Sequence, residues 1–148
     1  MLGRVESLIQ LLSIVLTALA LIPAAAHVIE LPNKLPMPRD EYMTVQRVYR
    51  GWDFAGYVVA AALVVTLWLA IVSEGEARVP AVMAFLAILG TQVVFWGVTF
   101  PVNRRTHDWT ETPDDWERLR DRWEISHAAS ALLNFTALVC VAMAISRS

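Results

Sequence analysis

The chain has 148 residues, enough for one domain, with a formal net charge of −2 and a single cysteine. At 57% hydrophobic residues and a mean hydropathy of +0.50, it is too apolar for an ordinary soluble domain. There is no glycine-rich phosphate loop, cysteine cluster, serine nucleophile motif or basic stripe, which argues against nucleotide, structural-zinc, hydrolase and nucleic-acid classes.

Four stretches approach or reach the roughly 20 apolar residues needed to cross a bilayer. They cover about 8–29, 54–73, 79–102 and 125–145. The expected fold is all-α: one domain over 1–148, an integral membrane four-helix bundle with both termini on one side. A short interfacial helix is expected between the first and second spans. No paired broken helices or internal repeat suggest a transporter.

Arg4, the first apolar run and Pro23-Ala24-Ala25-Ala26 together resemble a signal peptide with a small-residue cleavage site. Cleavage after Ala26 would make His27 the N-terminal residue, an arrangement that suits copper; the segment is read instead as a retained first span. Pro23 should kink this helix one turn before His27, and Leu31-Pro32-Asn33 should end it. Residues 41–50 then read as a short helix with Tyr42, Val45, Val48 and Tyr49 at helical spacing. It is either a structural cap or a substrate lid. Residues 74–78 form only a tight turn.

Within the spans, polar residues recur at helical intervals. Ser13, Thr17, Ala24 and His27 share a stripe on the first, and Gln92, Trp96, Thr99 and Asn103 on the third. Arg120, Glu124, His127 and Asn134 do so on the fourth. Such stripes should face the bundle interior, and plain interhelical hydrogen bonding accounts for most of them. Cys140 reads as small core filler.

The densest cluster comes from a motif that occurs twice, a histidine and a glutamate three residues apart: His27/Glu30 closing the first span and Glu124/His127 opening the last. Residues at that spacing share a helix face, and ionisable groups at membrane depth are costly enough to suggest function. His27, Glu30, Glu124 and His127 could together hold one divalent metal ion such as zinc, iron or manganese. A di-iron site lacks its second Glu-x-x-His and further glutamates. Alternatively each glutamate orients its histidine or pairs with Arg50, Arg104, Arg120 or Arg122. His107-Asp108 reads as a solvated loop.

Trp52, Trp109, Trp116 and Trp123, with Tyr42 and Tyr49, fall on the long-loop side. An aromatic belt accounts for most of them. Trp116, Trp123 and Tyr49 are the candidates to bind a flat substrate. Lysine and arginine number three on the side of the termini and nine on the long-loop side, which favours cytoplasmic long loops. That side also carries eleven of the fourteen acids. The lipid bilayer is the expected partner, with an apolar small molecule; nucleic acid is not, and oligomerisation is left open.

Pro101-Val102-Asn103, Asp114-Asp115-Trp116, and Arg122-Trp123-Glu124 with His127 resemble the anthrone oxygenase-like family of small four-helix membrane proteins. Ala26-His27, Glu30-Leu31-Pro32-Asn33-Lys34, Tyr42, Val45-Gln46 and Tyr49-Arg50-Gly51-Trp52 look like one of its bacterial branches. Where members often carry an arginine after the matched histidine, this chain has Ala128, Ala129 and Ser130. The resemblance implies a monooxygenase that oxidises anthrones to anthraquinones without flavin or haem. On that reading His127, held by Glu124 or Glu30, is the base, Asn103 stabilises the oxyanion, and Trp116 or Trp123 stacks on the rings. A metal-binding membrane protein and a non-catalytic accessory subunit are the alternatives.

Overall fold

The computed structural model describes residues 2–148, with side chains from Arg4 onward; Met1, part of the expected domain, lies outside them. Among the described residues all regular structure is helical, without strands. Helix α1 covers Leu2–Lys34, α2 Arg39–Gln46, α3 Phe54–Val72, α4 Gly75–Thr106 and α5 Trp116–Ile145. A 3₁₀ turn over Arg47–Tyr49 extends α2. Four of the five (α1, α3, α4 and α5) are long and apolar enough to cross a membrane.

The long helices pack in a ring. α5 contacts α1 and α4, and α3 contacts α1 and α4. Small residues let the backbones approach: Ala20, Ala62, Ala81, Ala84, Ala137 and Ala144 are almost completely buried. A Cβ added to Gly90 would lie 3.3 Å from Leu133 Cδ1, which marks the close approach of α4 to α5. The outward faces carry large apolar side chains instead, among them Ile22, Val64, Trp68, Ile71, Val93, Leu132 and Phe135.

The helices overrun the expected segments. α1 does not stop at Pro32 but continues to Lys34. Proline deletes only its own donor, and the next turn closes through Leu35 N–H to Leu31 O at 3.1 Å. α4 begins at Gly75, so Ser73 and Glu74 alone link it to α3. Gly75 takes φ +54° to make that reversal. α5 begins at Trp116 rather than near 125, leaving a connection of only 107–115.

The stripe expected on α4 is also broken. Phe95–Thr99 form a π-turn, closed by Phe100 N–H to Phe95 O. In a regular helix the Pro101 ring would clash with the carbonyl four residues back, and the widened turn relieves this. The extra residue shifts the face. Thr91 and Thr99 are buried, whereas Trp96 is 59% exposed.

Candidate functional site

At the end of the ring away from the termini, α1 presents His27, Glu30 and Lys34 at intervals of three and four, hence on one face. α5 presents Trp123, Glu124 and His127 opposite, α4 contributes Asn103, and the segment of α2 and its 3₁₀ turn closes the top with Tyr42 and Tyr49.

An ion pair joins the two helices. Lys34 Nζ lies 2.7 Å from Glu124 Oε1, and the two side chains are 2% and 0% exposed. Lys34 also donates to the Tyr49 hydroxyl at 3.1 Å, and Tyr49 donates to Glu30 Oε2. Tyr42 donates to Glu124 Oε1 at 3.0 Å. The ammonium sits 4.6 Å from the Tyr49 ring centroid, 5.1 Å from Trp123 and 5.7 Å from Tyr42, a cation–π cage that partly replaces lost hydration. Burial, reinforced by Glu124, pushes the Tyr42 phenol well above its ordinary pKa. Burial and then Glu30 do the same for Tyr49. Both phenols are therefore neutral donors.

The two imidazoles meet directly. His27 and His127 stack at 4.1 Å between centroids with an interplanar angle of 29°. Trp123 stands edge-on to both, at 4.8 Å and 4.3 Å, and Tyr49 flanks His27 at 4.5 Å. The Trp123 indole N–H donates to Asn103 Oδ1 at 2.8 Å. That bond leaves the Asn103 amide nitrogen to donate elsewhere.

Several buried polar atoms here have no hydrogen-bond partner: His27 Nδ1, His127 Nε2, Glu124 Oε2 and Trp109 Nε1. Each such atom costs about 1–3 kcal/mol.

The connection after α4 supports this end from outside. His107, Asp108 and Trp109 all adopt the left-handed region, at φ 48°, 52° and 60°, each at a cost of roughly 1–2 kcal/mol. Asp108 N–H to Asn103 O at 2.8 Å, Glu111 N–H to Thr106 O at 3.0 Å and Trp109 N–H to Thr106 Oγ1 at 3.2 Å hold the reversal. Its effect is to drive Trp109 inward, 5% exposed, against Tyr42 at 5.2 Å and Trp123 at 5.8 Å. Asp115 then clasps Arg118 at 2.6 Å and Arg105 at 2.9 Å, and the Arg118 contact holds its carboxyl below the usual range.

The expected site residues therefore converge, with different partners. Among the described residues neither glutamate hydrogen-bonds the histidine of its own pair, and none of the four expected arginines pairs with Glu30 or Glu124. Lys34 does, because α1 runs past Pro32. No group of three or more His, Cys, Asp or Glu side chains among the described residues is placed to hold a metal ion. Glu30 and Glu124 are engaged by Tyr49, Lys34 and Tyr42, and the histidines present faces rather than nitrogens to each other. Trp123 lies inside the cluster, Trp116 packs on Tyr42 at 6.0 Å, and Trp109 and Trp123 are core rather than belt. His107 is exposed, as a solvated loop residue should be.

Sequence reading missed Lys34, Tyr42 and Trp109. The usable signal was Lys34 itself: the only lysine of the chain, seven residues after His27. No family model matches the chain, and no curated protein or solved structure matches it.

Proposed function

We propose that this chain is an integral membrane four-helix bundle, with α2 at the membrane interface and the long connections on the cytoplasmic side. Its polar end is an acid–base site for an apolar, weakly acidic aromatic substrate of anthrone or quinone type. The activity is that of the oxygenase-like family the sequence resembles. One observation carries this reading: His27 Nδ1, His127 Nε2 and Glu124 Oε2 are buried without partners at one end of the ring. Orphaned ionisable groups are expensive, and they gather where chemistry needs them free.

On this reading His127 Nε2 takes the proton from the substrate's benzylic carbon. The Asn103 amide donates to the oxygen on which negative charge develops, and Trp123, Trp116 and Tyr49 flank the rings. The resulting carbanion reacts directly with dioxygen. The hydroperoxide then loses water, so that anthrone and O₂ give anthraquinone and H₂O. The segment carrying Tyr42 and Tyr49 covers the site and acts as the lid that admits substrate.

Oxygen uptake by the purified protein in lipid nanodiscs, with anthrone as substrate, tests the reading. The expected result is one O₂ consumed per anthraquinone formed, with His127→Gln slower by about 10²–10⁴-fold and its helical circular dichroism retained. A wild-type rate no faster than empty nanodiscs, or an unaffected variant, contradicts it.

A further inference from the structure

Glu124, Lys34, Tyr49 and Glu30 form one continuous polar series, with contacts of 2.7 Å and 3.1 Å followed by the Tyr49–Glu30 hydrogen bond. It leads from the inside out: Glu124 is 0% exposed, Lys34 2% and Glu30 43%. Lys34 donates inward to Glu124, and beyond it the donors point outward. Lys34 donates to the Tyr49 oxygen, and the Tyr49 hydroxyl donates to Glu30. The other branch from Glu124 runs to Tyr42 and on to Gln46, both buried.

We propose that Lys34, Tyr49 and Glu30 are the proton outlet of the buried cluster, connecting Glu124 to water. The proposal rests on the acid–base reading above. In the transfer one Lys34 N–H bond breaks as an O–H bond forms on Tyr49, while the original Tyr49 hydrogen passes to Glu30. The ammonium and carboxylate become an amine and a carboxylic acid, and Tyr49 is unchanged. Glu30 then releases its proton to water, and the Lys34 amine takes the proton that Glu124 has acquired from the site. Run backwards, the same series returns a proton for the water formed on turnover. Because burial and Glu30 raise the Tyr49 pKa, the two hydrogens move together rather than through a tyrosinate. Lys34 and Glu30 are thus relay groups, and Tyr49 carries a proton as well as flanking substrate.

The chain has one lysine, so lysine labelled with ¹⁵N at Nζ gives a single ammonium signal. Its hydrogen exchange with water, measured by NMR in nanodiscs, reads the outlet without any turnover. Tyr49→Phe and Glu30→Gln should each slow exchange about tenfold, the effect of removing one hydrogen bond from the route. Tyr42→Phe, which loosens the same lid off the route, should not slow it. If Tyr49→Phe does not fold, Glu30→Gln decides. Exchange that is unchanged or faster in the route variants, or equally slowed by Tyr42→Phe, overturns the proposal. Failure of anthrone oxidation with the exchange pattern intact removes the enzyme reading alone. Intact turnover with unaltered exchange removes the outlet alone.

Discussion

Both ends of the helical ring bury polar side chains, but they satisfy them in opposite ways. Toward the termini, Thr17 donates to Ser13 O at 2.6 Å and Thr66 to Ala62 O at 2.7 Å. These two bonds stay within one helix, Ser13 Oγ makes only a long contact across to Val65 O at 3.5 Å, and the surrounding core is apolar: Ile9, Leu69, Ala81, Ala84 and Val141. At the far end Tyr42 reaches Glu124 across 82 residues of chain, Lys34 bridges two helices, and several atoms are left unpaired. Asn134 Oδ1, two turns deeper on α5, is also unpaired. Local satisfaction is cheap and says only that the helices pack. Long-range pairing with orphans costs stability, and that contrast is the ground for proposing the second end as the site.

The largest effect should come from splitting the buried pair. Lys34→Met or Glu124→Leu alone should lower stability by about 3–5 kcal/mol by stranding a charge, whereas the double variant should recover most of it. Reversible unfolding in mixed micelles measures both, and additive losses would break the contrast. Tyr42→Phe should cost about 1.5–3 kcal/mol, because it removes a hydrogen bond to a charged acceptor. Gly90→Leu, between the two ends, should cost about 1–3 kcal/mol through overpacking against Leu133. Thr17→Val at the quiet end should cost less than about 1 kcal/mol. If it costs as much as Tyr42→Phe, the two ends are not different in kind.

The four long apolar segments were legible because span length and hydropathy report them directly. The burial of Ser13, Thr17, Ala24 and His27 on one stripe followed from helical spacing alone. Three features escaped. Pro32 suggested a helix end, which put Lys34 in a loop and hid the partner of Glu124. Pro101 gave no hint of the π-turn, and the spacing gave none that Trp96 would face outward. The three left-handed residues that bury Trp109 are not glycines, so composition did not mark them. For Lys34 and Trp109 a tertiary contact outweighed a local preference. The two histidine–glutamate pairs could be named from sequence, but Lys34 and Tyr42 as the partners of Glu124 could not.

On the proposed function, the unpaired groups at the Lys34–Glu124 end serve chemistry rather than folding. The most direct test is His127→Leu, scored in one preparation for unfolding free energy and for anthrone oxidation. Stability should equal or exceed that of the wild type, since an orphaned buried nitrogen is removed, and turnover should be lost. A loss of about 2 kcal/mol or more with turnover retained would make His127 a structural residue and not a base.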